Sequence, residues 1–291
     1  MMVTKIFRHW DLSGFPGGLP VPTTLAMDDE NLAALIADTA GRVLQVLAAS
    51  ELWAGAAKGG AADRLSNQVI LEALRTHRPE DAILSEESSD DPMRLGRRRV
   101  WIIDPLDGTR EYCDGRDDWA VQVGLAVGGV AEIGAVAVPA RNALWRSDRP
   151  PTLPPSSGRL RLLVSRSHPP AGIGRIAAAL NADIVPMGSV GVKVSALLEG
   201  VGQVYVHYGS LFQWDSCAPV ALARAAGLDT SRLSGEALAY NGPGTALPDL
   251  VISHPAVTAE VRAVLDRLLP LETTDGPGVA RLSCSPPDIN G

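Results

Sequence analysis

Asp104-Pro105-Leu106-Asp107-Gly108-Thr109 is the segment whose residue types and spacing carry the most chemistry, and it follows directly on the apolar run Val100-Trp101-Ile102-Ile103. A strand ending there delivers both carboxylates to a strand end. The proline-started turn can fold Asp104 and Asp107 back toward one point, and the Leu106 carbonyl between them offers a third oxygen, a set that suits a hard divalent cation. Gly108 would let a phosphate approach the backbone, while Thr109 would open the next helix with its hydroxyl and amide toward the anion. The plain alternative is an Asp-Gly turn whose side chains bond only their own backbone.

Further acidic positions add to this set. Glu86 and Glu87 follow the strand-like run Ala82 to Ser85, so another carboxylate stands at a strand end, where open α/β layers place ligands. Asp215, in Trp214-Asp215-Ser216-Cys217, follows the strand-like Gln203 to Tyr208 and begins an apolar helix. Asp63 stands at the start of a second helical stretch. Each has a bland role open to it: a solvated turn for the glutamates, a helix N-cap for Asp215 and Asp63.

The elements that must position these groups can be read from periodicity. Apolar residues at helical spacing from Asp28 to about Leu52 predict a long amphipathic helix, and Asp63 to His77 a second. Strands follow at Ala82 to Ser85 and Arg99 to Ile103, and Val121 to Val138 reads as two strands joined at Gly128-Gly129. Four prolines between Ser147 and Gly158 mark a linker. Beyond it, strand-like Leu160 to Val164, Asp183 to Pro186 and Gln203 to Tyr208 alternate with helix-like Gly172 to Leu180, Val192 to Glu199 and Asp215 to Ala226. The expected fold class is α/β, with an α+β first half. The expected division is an N-terminal extension over 1–27, an α+β subdomain with the metal-binding loops over 28–150, an α/β subdomain over 151–270 and a tail over 271–291.

Composition narrows the function class. The chain has 291 residues, 46% of them hydrophobic, enough for a substantial core. A net charge of −7 without a basic stripe argues against a nucleic acid polymer as partner. Residues 1–27 show no basic-then-apolar leader, and no stretch of membrane-spanning length lacks polar residues, so a cytoplasmic protein with no membrane partner is expected. Three widely spaced cysteines, Cys113, Cys217 and Cys284, indicate neither a disulfide framework nor a zinc knuckle. A homodimer is left open.

Taken together and in this order, Glu86-Glu87, Asp-Pro-Leu-Asp-Gly-Thr and Trp214-Asp215 resemble the inositol-monophosphatase superfamily of metal-dependent, lithium-sensitive phosphatases. Within it, Ser165-Arg166-Ser167-His168, Gly188-Ser189 with Lys193, and Tyr240-Asn241 resemble the CysQ-type 3′(2′),5′-bisphosphate nucleotidases of sulfur metabolism. The resemblance implies a layered αβαβα sandwich and two or three Mg2+ ions held by Glu86, Asp104, the Leu106 carbonyl, Asp107 and Asp215. It implies that Asp63 and Thr109, with Glu86, serve catalysis by orienting water or taking its proton. Its substrate contacts would be Asp107, Gly108, Thr109, His168, Gly188, Ser189, Lys193, His207 and Asp215, with Lys193 and His207 reading a second phosphate and His168 next to a base. The implied reaction removes the 3′-phosphate of adenosine 3′,5′-bisphosphate, or of its 5′-phosphosulfate form, giving AMP by attack of water. The sequence departs from the family pattern at Gly60, where many relatives have threonine, at Tyr205-Val206-His207, where Tyr-Pro-Arg is common, and at Gln213, where glutamate is common.

Rival readings are an inositol monophosphate or fructose 1,6-bisphosphate as substrate, and a catalytically silent phosphate sensor. Gly172-Ile173-Gly174 superficially matches a dinucleotide fingerprint, but Pro169-Pro170 breaks the tight turn such a site needs. Met187-Gly188-Ser189-Val190-Gly191 lacks the first glycine of a nucleophile elbow.

Overall fold

The computed structural model describes residues 27–50 and 52–272. The extension and the tail expected at the two ends lie outside these residues, apart from Met27 and residues 271–272. Helix α1 (Asp29–Ala48) starts where Asp28 accepts the Asn31 N–H at 2.8 Å, and it buries Leu32, Ile36, Ala40 and Leu44 on one face. Helix α2 (Gly55–His77) begins well before Asp63, which therefore lies inside the helix rather than at its start. The early start follows from Ala56, Ala57, Ala61 and Ala62, strong helix formers, and from Gly59, where an added Cβ would come within 2.8 Å of the Cys113 sulfur and 2.9 Å of the Thr109 methyl. Packing thus makes use of a glycine that would otherwise weaken a helix.

The first sheet contains β1 (Ala82–Ser85), β2 (Arg99–Asp107), β3 (Ala120–Val127), β4 (Val130–Val138) and β5 (Ala143–Arg146) in that spatial order. Only β1 and β2 pair in parallel; the others are antiparallel. Gly128 and Gly129, both at positive φ, make the β3–β4 turn anticipated from sequence. Strand β2 runs past the expected end at Ile103, because its pairing with β3 slips between Asp104 and Asp107 and resumes at Asp107 opposite Ala120. A short helix α3 (Thr109–Cys113) follows Gly108.

The second sheet contains β6 (Arg161–Ser165), β7 (Asp183–Met187), β8 (Val204–Phe212), β9 (Asp229–Ser231) and β10 (Ala246–Ser253), in the order β7-β6-β8-β10-β9. Its helices are α4 (Ile173–Ala179), α5 (Val190–Leu198), α6 (Gln213–Ala225) and α7 (Thr258–Glu272). The layers are those of an αβαβα sandwich. Helices α1 and α2 cover the outer face of the first sheet, α5 and α6 lie between the sheets, and α4 and α7 cover the second.

A helix between two sheets must be apolar all round, and every residue of α5, Val-Gly-Val-Lys-Val-Ser-Ala-Leu-Leu, is buried. Helix α6 comes closest to the first sheet at Gly124 and Gly134, which pair across β3 and β4. A Cβ on Gly134 would lie 2.2 Å from the Ala218 carbonyl oxygen, and one on Gly124 would lie 2.9 Å from the Ala218 nitrogen. No helix among the described residues is long and apolar enough to cross a membrane.

Candidate active site

The cleft between the layers has a volume of about 590 Å3, and its wall includes Glu86, Asp107, Gly108, Thr109, Ser189 and Asp215. His168, Gly188, Lys193 and His207 also line it. Asp104, Leu106 and Asp63, which the sequence placed with this set, sit behind the wall and are nearly fully buried.

Three aspartates share one arrangement: each uses one oxygen to hold backbone N–H groups. Asp104 Oδ1 accepts the Leu106 N–H at 3.0 Å, inside the stretch of β2 where the pairing with β3 slips. Asp107 Oδ2 accepts the Ser189 hydroxyl and the Val190 N–H, both at 2.6 Å, the Gly191 N–H at 3.1 Å and the Gln122 side-chain amide. Those backbone donors are the unpaired N–H groups of the first turn of α5, where negative charge is favoured. Asp215 sits inside the first turn of α6 rather than at its cap, and its Oδ2 accepts the Phe212 N–H at 2.7 Å. Among the described residues, Asp107 Oδ1 and Asp215 Oδ1 have no donor, and the Asp104 and Glu86 carboxyls stand within hydrogen-bonding reach of each other. The turn-type bonding open to Asp104 on sequence grounds is present, but it occupies half of the carboxylate.

Crowding and burial leave these groups ill-suited to carrying charge alone. Burial, with Asp107 and Glu87 nearby, pushes Glu86 up to about 7. Burial and then Asp107 push Asp215 up to about 8. Burial and the Glu86 charge hold Asp104 well above the usual carboxylate range, and burial raises Asp107 despite Lys193 and its hydrogen-bond donors. Among the described residues no three His, Cys, Asp or Glu side chains close on one point as a finished coordination shell. The donor chemistry fits hard divalent cations: oxygen only, acidic, partly desolvated and mutually repelling until positive charge is supplied. The Leu106 carbonyl, which accepts the Thr109 hydroxyl at 3.1 Å, retains a second lone pair for the same purpose.

Asp63 lies beside this group on α2. Burial, followed by the charges of Glu87 and Glu86, pushes it up to about 7 against the pull of the Thr109 hydroxyl. The absence of a threonine at position 60 leaves Gly60 beside the Arg64 side chain, 3.2 Å from where its Cβ would stand.

Some expected contacts have other local explanations. Gly108 sits at φ 91°, and a Cβ there would press on Asp118 and Trp119 at 3.3 Å, so packing as well as backbone conformation requires glycine. A Cβ on Gly188 would be 2.5 Å from Glu111 and 2.6 Å from the Asp118 carbonyl. The Lys193 ammonium is buried and donates to the carbonyls of Ser189 at 2.6 Å and Gly188 at 3.0 Å, with the Tyr205 ring 5.3 Å away. Burial lowers it to about 8, with Asp107 opposing. It braces the turn that carries Ser189. Gln213 is fully used as an amide, accepting the Asn241 N–H at 2.6 Å and donating to the Gly244 carbonyl. A glutamate could not donate there.

Sequence reasoning missed a brace across the cleft. Arg166 donates to Glu111 at 3.1 Å and to Asp118 at 2.5 Å, and Asp118 also accepts the Gly188 N–H at 2.8 Å and Arg116 at 3.0 Å. Arg166 stood in the quoted Ser-Arg-Ser-His motif, but nothing local identified its partners. Arg110 and Phe212, both exposed on the cleft wall, were also missed.

Comparison with known proteins agrees with this architecture. The chain is 43% identical over 254 residues to the 3′-phosphoadenosine 5′-phosphate phosphatase of Mycobacterium leprae, covering 82% of this chain and 94% of that protein. Among solved structures, CysQ from Bacteroides thetaiotaomicron, a bacterial member of the inositol monophosphatase family, superposes with a TM-score of 0.68 at 25% identity, over 76% of this chain and 96% of that one. Inositol monophosphatase from Anabaena shares the fold, with a TM-score of 0.67 at 24% identity over 84% and 97% of the two chains. The model of the inositol monophosphatase family, a family that uses divalent metal ions on small phosphate monoesters, matches residues 33–150 and 156–266, and the chain belongs to that family.

Proposed function

We propose that this protein is a magnesium-dependent phosphatase that removes the 3′-phosphate of adenosine 3′,5′-bisphosphate, giving AMP and inorganic phosphate. The carrying observation is that Asp104, Asp107 and Asp215 each use one oxygen for backbone, so Asp107 and Asp215 present a rigidly held second oxygen and Asp104 faces Glu86. With Glu86 and the Leu106 carbonyl they would hold two or three magnesium ions. Bound there, magnesium lowers the pKa of water and offsets the charge that develops on the leaving oxygen.

The protein's own residues supply the rest. The Asp63 carboxyl is assigned the proton of the attacking water, with the Thr109 hydroxyl beside it to orient that water. Ser189 and Gly108 line the same cleft wall, where the reacting phosphate would sit. A second phosphate needs a cation away from the carboxylates. Lys193 is committed to two carbonyls, whereas Arg110 is exposed on the wall and makes no ion pair or side-chain hydrogen bond among the described residues. Arg110 is therefore assigned the 5′-phosphate, with His207 and His168 on the same wall as neighbours of the nucleoside.

The identity to a relative named for 3′-phosphoadenosine 5′-phosphate favours this substrate over inositol phosphates and sugar bisphosphates. The test is a substrate panel with magnesium, ranked by kcat/KM. Adenosine 3′,5′-bisphosphate should exceed inositol 1-phosphate, fructose 1,6-bisphosphate and AMP. A higher value for inositol 1-phosphate or fructose 1,6-bisphosphate overturns the assignment, and no turnover of any monoester with magnesium would mark a silent sensor.

A further inference from the structure

Among the described residues, Phe212 is the one large apolar side chain on the cleft wall that is also exposed, at 38%. Its ring lies face to face with Trp214, with 5.0 Å between centroids and 9° between planes. Its backbone is held twice: it pairs with Ala246 of β10, and its N–H donates to Asp215, a proposed magnesium ligand, at 2.7 Å. The ring is thus fixed at the end of β8, on the cleft wall and three residues from Asp215.

We propose that Phe212, backed by Trp214, is the platform on which the nucleobase of the substrate stacks, and that it is a specificity-determining residue. The inference rests on the nucleotide reading of the site. A stacked pair is stabilising in its own right, and it also holds the outer ring in one orientation, which lowers the entropy cost of receiving a flat partner on the cleft wall. A purine offers such a face; inositol and sugar phosphates present hydroxyls on every side. Adjacency to Asp215 sets the scale, because in a 3′-phosphorylated nucleoside one ribose separates the base from the scissile phosphate. Stacking tolerates any base, so the platform distinguishes nucleotides from other phosphate esters and does not select adenine over guanine. It acts on binding and leaves the bond-breaking step to the carboxylates.

The test is steady-state kinetics with magnesium on the wild type, Phe212→Ala, Phe212→Leu and Phe212→Trp. The substrates are adenosine 3′,5′-bisphosphate and 1,2-dideoxyribose 3,5-bisphosphate, which carries both phosphates and no base. Phe212→Ala and Phe212→Leu should raise KM for the nucleotide about tenfold, a typical loss for one stacked base, with kcat within about twofold. KM for the baseless ester should stay unchanged. Phe212→Trp should restore the nucleotide KM. The leucine variant keeps apolar bulk over Trp214, so a loss in alanine alone indicates packing and overturns the proposal. Equal rises on both substrates, or none, overturn it as well. A wild type that prefers inositol 1-phosphate to the nucleotide would instead overturn the functional assignment, and this inference with it.

Discussion

Asp107 Oδ2 accepts the hydroxyl of Ser189 at 2.6 Å, a contact that ties the end of β2 to the first turn of α5. The same hydroxyl accepts the Val192 N–H at 3.1 Å as the cap of α5. Ser189→Ala therefore removes a cap and an orienting donor together. We expect a stability loss of about 1 kcal/mol by chemical denaturation and magnesium affinity lower by roughly 10- to 100-fold, as for other outer partners of metal ligands. Unchanged magnesium dependence of activity would show that Asp107 needs no such support.

Metal removal should expose the strain among the carboxylates. Asp215→Asn replaces, at nearly constant volume, an acid that burial and Asp107 push up to about 8, and so removes the cost of holding that group in the folded state above its ordinary range; in chelator at neutral pH and above the variant should melt higher than the wild type. It should also lose most of the rise in Tm that magnesium gives the wild type, and at least about a hundredfold in kcat, since a metal-ligand charge is lost. Thermal melts with and without magnesium check both parts. A variant that is less stable in chelator would mean that the cluster is not electrostatically strained.

Arg110→Ala should raise KM for adenosine 3′,5′-bisphosphate by about tenfold or more, the size of one charge-assisted contact. Hydrolysis of 3′-AMP, which lacks the second phosphate, should change within about twofold. Equal effects on both substrates would place the arginine elsewhere in binding.

The Arg166 brace predicts a pH dependence of stability. Burial pushes Asp118 upward, but the hydrogen bonds from Arg166, the Gly188 N–H and Arg116 outweigh it and hold the carboxyl at about 2, below its ordinary 3.8. A folded-state value below the unfolded one means that the stabilisation is complete above about pH 4 and is lost as pH falls through about 2. The difference in unfolding free energy between wild type and Asp118→Asn should therefore be on the order of 2 kcal/mol near neutrality and shrink over that acid range. Denaturant titrations at stepped pH measure it; a difference independent of pH would assign the loss to packing.

Local chemistry was legible in the sequence, and long-range direction was not. Two carboxylates after an apolar run marked the C-terminal part of β2, though the strand continues through them to Asp107, and paired glycines announced the β3–β4 turn, because each signal lies within a few residues. Ala246–Ser253 drew no strand expectation, since Pro248 interrupts it; the register shift between Leu247 and Asp249 accommodates the proline in β10. Gly59-Gly60 masked the true start of α2, where contact with Cys113 overrides intrinsic preference. Lys193 was legible as a cation near the site, but the carbonyls it meets depend on how the Gly188-Ser189 turn folds over it. Arg166 and Asp118 are separated by 48 residues, and no periodicity relates them.

Asp215 rides on α6, while Asp104 and Asp107 belong to the first sheet, so the gap between these proposed ligands depends on how deeply the helix seats. That depth is set at Gly124 and Gly134, where Ala218 meets bare backbone. The two missing methyl groups act as a spacer gauge: a single added carbon there would prise the ligands apart while leaving every one of them chemically intact. The spacing of the site is thus set in part by two glycines of the first sheet that carry no side chain at all.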